Sequence, residues 1–123
     1  MWADDHASRA MGMELLDLSP GGAVVAMTVR EDMVNGYGMA HGGLVAALAD
    51  SAFALACNSR GAMTVAAGFD VSFLEAGRLG ERLVATASET ALRGRSGIYD
   101  VTVAREDGEV VAEFRGRSRT LSR

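Results

Sequence analysis

Between Leu44 and Cys57 only Asp50 and Ser51 are polar, and no glycine or proline interrupts the run. It is rich in alanine and leucine, which favour helix. Arg60-Gly61 supplies a stop, with arginine in the last turn and glycine just past it, so the pattern predicts a helix over Leu44–Asn58. A surface helix keeps a polar stripe, and one that is apolar on every face must be buried. This most constrains the fold. In a chain of 123 residues, one domain's worth over 1–123, the remainder has to wrap around that helix.

The remainder has strand character. Met13–Leu18 and Ala23–Val29 flank the turn Ser19-Pro20-Gly21-Gly22 and read as a hairpin. A glycine-punctuated loop, Arg30–Ala40, then leads to His41-Gly42-Gly43 at the helix start. Beyond the helix, Val65–Leu74 alternates Phe69, Val71 and Phe73 against Asp70 and Ser72, a period of two. Arg82–Leu92, Ile98–Arg105 and Glu109–Thr120 follow, separated by the turns Gly94-Arg95-Ser96-Gly97 and Glu106-Asp107-Gly108. The order is hairpin, one helix, four more strands: an α+β layout with six strands of a largely antiparallel sheet around one helix.

Composition narrows the chemistry. All 12 basic residues are arginine, against 16 acids. The absence of lysine removes Schiff-base, pyridoxal-phosphate and P-loop chemistry together. Two histidines and one cysteine, Cys57, cannot make a disulfide and cannot make a zinc site without carboxylates. Neither metal nor cofactor is expected. No signal peptide opens the chain and no apolar run is long enough to span a bilayer, so the expected setting is the reducing cytoplasm, with no membrane partner. No G-x-S-x-G elbow and no complete dinucleotide fingerprint are present.

Asp50 is the anomaly, because aspartate is almost never buried without a partner or a purpose. Apolar surroundings destabilise its charged form and raise its pKa, which suits a general base or a nucleophile. Gly42 and Gly43 open the same helix with unpaired backbone N–H groups and no side chains in the way, an arrangement fit for an oxyanion. Eight residues part Gly42 from Asp50, about 12 Å along a helix. Either the two do not cooperate, or two copies related by a two-fold axis each supply half of one site; the second reading is favoured.

The residues Asn35-Gly36-Tyr37-Gly38-Met39-Ala40-His41-Gly42-Gly43 and Leu48-Ala49-Asp50-Ser51-Ala52-Phe53 resemble the hotdog-fold acyl-CoA thioesterases. The phenylacetate-degradation branch, acting on phenylacetyl- and hydroxyphenylacetyl-CoA, is the nearest likeness. The resemblance continues through Ala56–Gly61, Phe73-Leu74, Gly80–Leu83, Gly97–Asp100 and Phe114–Ser118. It implies a hotdog fold, an acyl-CoA substrate, and pairing of subunits through their central helices into a homodimer that commonly doubles to a homotetramer. It implies Asp50 as nucleophile or general base, Gly42 N–H as the carbonyl's partner, His41 as a shaper of that turn, and Asn35 as the group orienting carbonyl or water. Gly43, Ser72, Arg95 and Ser96 are the expected substrate-binding residues.

The chain also departs from the family pattern. Ala76 stands where relatives often have proline, which predicts a looser Glu75–Gly80 turn. Ala54 stands where some relatives have a catalytic hydroxyl, leaving only Ser51 near. Ala66-Ala67 lacks a common hydroxyl that Thr64 or Ser72 must replace. Arg115, Arg117 and Arg119 alternate on one strand face, and with Arg95 they read as a landing for the phosphates of coenzyme A; residues 93–123 hold 7 arginines against 5 acids. The acidic chain, with its seven aromatics elsewhere, is not a nucleic-acid binder. Two alternatives remain: a hotdog dehydratase or hydratase, which needs a helix histidine, and a non-catalytic acyl-CoA-binding module. Cys57 reads as a buried small hydrophobe.

Overall fold

The apolar run forms the long helix at the centre of the computed structural model, which describes residues 2–121. That helix, α2 (Gly42–Asn58), follows α1 (His6–Ala10), β1 (Glu14–Ser19) and β2 (Gly22–Thr28). Then come β3 (Thr64–Phe73), β4 (Arg82–Arg93), β5 (Ser96–Arg105) and β6 (Val110–Thr120). The expected strands all appear, with ends within two residues of the pattern. The short N-terminal helix α1 has no counterpart in the expected order: five residues carry too little periodicity to register.

All six strands are antiparallel neighbours in the order β1-β2-β4-β5-β6-β3. One strand is out of sequence order: α2 carries the chain across the sheet so that β3 pairs with β6 at the far edge, and the chain returns to place β4 beside β2. This is the hotdog arrangement, one long helix held by a six-stranded antiparallel sheet. No helix among the described residues is long and apolar enough to cross a membrane.

Val45, Leu48, Ala49, Ala52, Phe53, Leu55, Ala56 and Cys57 of α2 are buried against the sheet. Phe53 is the centre of this contact, its ring 5.7 Å from those of both Tyr99 and Phe114. Gly116 faces that ring so closely that a Cβ there would stand 2.8 Å from its atoms. The far end of α2 is pinned: Asn58 bonds the backbone of Thr64 in both directions, and Arg60 grips Glu89, which also accepts from Tyr99.

One expectation needs correcting. The helix is not covered all round within a single chain. Gly43, Ala46, Ala47, Asp50 and Ala54 keep partial access to solvent at helical spacing. The sheet wraps three sides and leaves this stripe of small residues, with Asp50 in it, open.

Candidate active site

The start of α2 is built by His41. Its Nδ1 accepts the Gly43 N–H at 3.1 Å, so Nδ1 carries no proton and His41 serves as the helix cap. The His41 carbonyl accepts from Leu44 and Val45. Among the described residues no group accepts the Gly42 N–H, which is the one first-turn donor left over. The Gly43 N–H is therefore taken up within the turn and is not unpaired as expected. A Cβ on Gly42 would meet Phe73 Cζ at 3.1 Å, which explains glycine there.

Asn35 is held by an Asx turn: its Oδ1 accepts from Tyr37 N–H at 2.9 Å and Met39 N–H at 3.2 Å. With the oxygen occupied, its free polar group is the Nδ2 amide. The loop is fixed at both ends, since His41 N–H donates to Met33 and Ala40 N–H to Gly77. Asn35 and Gly42 meet on one pocket of about 500 Å³, walled by Met39, Val45, Phe73, Leu74 and Val111 and edged by Arg78. A largely apolar pocket with two hydrogen-bond donors on its wall suits an apolar acyl group and its carbonyl.

Asp50 does not line that pocket. It lies two turns on, half-buried in the open stripe of α2, and forms no ion pair among the described residues. Burial pushes its carboxyl above the ordinary aspartate value, and the nearby Asp5 carboxylate adds to the rise. A single chain thus brings Asn35, His41 and Gly42 together and leaves Asp50 apart.

The hydroxyls expected to compensate for alanines do not reach the pocket. Phe73 packs against Gly42, so alternation along β3 turns Ser72 to the opposite sheet face, where it stands exposed beside Asp70, Glu113 and Arg115. Thr64 is buried, its hydroxyl bonded to Ala62 and Thr120. Ser51 is bonded to Ser8. The Glu75–Gly80 turn is not loose despite Ala76: Arg105 donates to the Ala76 carbonyl, Arg78 N–H to Glu81, and Gly80 N–H to Val29.

The arginine stripe lies on the outer face of the sheet and is largely neutralised. Arg115 makes two bonds to Asp100, at 2.8 and 3.0 Å, and holds that carboxyl below its usual range. Arg117 pairs with Asp70, and Arg119 donates to Ser96 Oγ. Arg95 is exposed in the β4–β5 turn and has no side-chain partner among the described residues; Arg123 lies outside them. Ser96 and Arg119 border a second concavity of about 420 Å³ with Ala67, Ala91, Arg93 and Ile98. It sits eight residues along β6 from Val111, roughly 26 Å from the first pocket.

Cys57 is inert: burial pushes its thiol up to about 11. Among the described residues no group of three or more metal-ligating side chains converges. Sequence reasoning missed Asp5 and Ser8, which are hydrogen-bonded to each other and, through Ser8, to Ser51 beside Asp50 in the chain. An Asp followed three residues later by Ser, ahead of a short alanine-rich stretch, is the capping signal that could have found them.

Residues 37–112 match the family model described as the Thioesterase superfamily. The acyl-coenzyme A thioesterase PaaI of Escherichia coli K12 is 39% identical over 121 residues, spanning 98% of this chain and 86% of its own length. The solved structure of the E. coli PaaI protein from the phenylacetic acid degradation operon superposes with a TM-score of 0.98 at 38% identity, covering 99% of this chain and 88% of that one. The TT0310 protein from Thermus thermophilus superposes with a TM-score of 0.91 at 44% identity, covering 95% and 98%.

Proposed function

The chain belongs to the thioesterase superfamily, and from that premise we infer that it hydrolyses an acyl-CoA to the free acid and coenzyme A. The observation that carries this reading is the unclaimed Gly42 N–H opening into an apolar pocket beside the Asn35 amide. A donor that meets the thioester carbonyl oxygen as it gains negative charge is worth about 3 kcal/mol of barrier. His41 caps the turn and is spent on Gly43, which disfavours a histidine-centred hydration or dehydration.

Asp50 supplies the attack, from a second copy of the chain. Two observations support the pairing: the open stripe around Asp50, and the outer edge of β3, unpaired among the described residues, with Val65, Phe69 and Phe73 at 43%, 42% and 52% exposure. A two-fold axis then brings Asp50 of one subunit to the Gly42 pocket of the other, and a homotetramer is the further step this surface invites. As nucleophile, Asp50 bonds the carbonyl carbon, the C–S bond breaks, the thiolate leaves, and water cleaves the anhydride. As general base, it takes a proton from water, hydroxide adds, and the proton passes to the departing thiolate. Oxygen-18 tracing into the Asp50 carboxylate in a single turnover separates the two.

The acyl group we assign is aryl-acyl, phenylacetyl or hydroxyphenylacetyl. Support comes from the apolar wall of the pocket and from the phenylacetic acid operon of the E. coli relative. Of the cations, Arg95 and Arg119 are the candidates for coenzyme A phosphates, since Arg115 and Arg117 hold carboxylates. The lone cysteine and the thioester substrate suit the reducing cytoplasm. The test is a thiol-release screen over aryl, short-chain and long-chain acyl-CoAs, with Asp50→Asn as control. Aryl substrates are expected to lead, and Asp50→Asn to lose about three orders of magnitude in kcat while staying folded. Coenzyme A binding without thiol release would instead indicate a non-catalytic module.

A further inference from the structure

The first dozen residues are tied to the open stripe of α2 by a directed chain of hydrogen bonds. Asp5 caps α1 through Ser8: its Oδ1 accepts the Ser8 N–H at 3.0 Å and its Oδ2 accepts the Ser8 hydroxyl at 2.7 Å. Ser8 Oγ also stands 2.6 Å from Ser51 Oγ. Because the Ser8 proton is given to Asp5, the Ser51 hydroxyl is the donor in that contact. Ser51 immediately follows Asp50, and Ser8, the middle of the chain, is 3% exposed while Asp5 and Ser51 at its ends keep partial access to solvent. Trp2 and Met11 pack against the core on either side, and Met13 N–H donates to the Ser8 carbonyl.

We propose that Asp5 is a positioning residue for Asp50: the hydrogen-bond chain Ser51–Ser8–Asp5 docks the N-terminal segment on α2 so that a second carboxylate stands beside the reacting one. The inference rests on the assignment of Asp50 to the reaction. Its physical content is a fixed negative charge that makes ionised Asp50 less comfortable and so a stronger base or nucleophile. The other groups acting on Asp50 are few. Within one chain Cys57, two turns along α2, is a neutral buried thiol, and no arginine or histidine among the described residues pairs with Asp50. In the proposed dimer Glu75 and Arg78 at the rim of the facing pocket, and His41 next to Gly42, join them, and they are unchanged in every variant compared. Like charges linked through the Ser8 and Ser51 hydroxyls, partly screened from water, interact by an amount that kinetics can read.

Asparagine caps a helix as well as aspartate does and its Oδ1 still accepts the Ser8 N–H, while its amide NH2 in place of Oδ2 reverses the Ser8 hydroxyl contact. Asp5→Asn thus removes the charge, and Asp5→Glu and Ser51→Ala separate that loss from the altered bond. Two measurements on the full chain test the proposal. One is the pH profile of kcat/KM with an aryl-acyl-CoA. The other, independent of turnover, is the titration of the Asp50 carboxyl by carbon NMR, assigned by its disappearance in Asp50→Asn. In Asp5→Asn both the acid limb and the NMR midpoint move to lower pH, and the plateau kcat falls several-fold. Asp5→Glu restores both toward the parent, and Ser51→Ala, which cuts the chain from the helix side, moves them in the same direction as Asp5→Asn. An Asp50 titration that coincides in parent, Asp5→Asn and Ser51→Ala overturns the proposal. If Asp50→Asn keeps full activity, the catalytic assignment fails separately, while the NMR midpoints still decide whether Asp5 acts on Asp50.

Discussion

Asp50 shows what a single residue costs and supplies. Its carboxyl is pushed above the ordinary value by burial and then by Asp5, so the folded chain holds that proton more tightly than the unfolded chain does. For an acid raised in this way, stability is highest below the unfolded value and falls as pH rises toward the folded one. Asp50→Asn removes the penalty. We expect it to raise stability at pH 7 by about 1 kcal/mol, in keeping with relieved strain at a functional site, with the gain vanishing near pH 3; thermal melts of both proteins across that range check the sign. The anomaly was legible in the sequence, because one acid inside an apolar run needs no coordinates to be noticed. The partner that sharpens it was not. Asp5 lies 45 positions away in the chain, and only packing places it beside Asp50.

At the scale of elements, periodicity located every strand and the long helix, since alternation and sustained apolarity are local properties of the chain. It could not say which way β3 turns its faces relative to the pocket. Phe73 packs on Gly42, which sends Ser72 to the outer surface, and the same parity places Arg115, Arg117 and Arg119 beside Asp100, Asp70 and Ser96. Gly116, inside β6, is what lets α2 approach the sheet. A Cβ there would reach within 2.8 Å of the buried Phe53 ring. Gly116→Ala is therefore expected to destabilise the fold by about 1–3 kcal/mol, read as a lower denaturant midpoint at unchanged slope. An unchanged midpoint would show that Phe53 has room to move.

For the whole molecule the decisive question is where the two halves of the site meet. Asn35→Ala and Asp50→Asn should each be inactive alone. Mixed, unfolded and refolded together, they should recover about a quarter of parental activity per chain, because half of the dimers are mixed and each holds one intact site of two. Recovery at the background level of the single variants would place the whole site within one chain. The sequence by itself determined the six strands and the long helix, the apolar character of α2, the singularity of Asp50 and the glycine turn at Gly42, because each is set by neighbours a few residues away. Tertiary structure alone decided the sheet order, the opposite-facing arginines and Ser72, the spent Gly43 N–H, and the open stripe in which Asp50 lies. Those depend on contacts between residues remote in sequence, and no local pattern carries them.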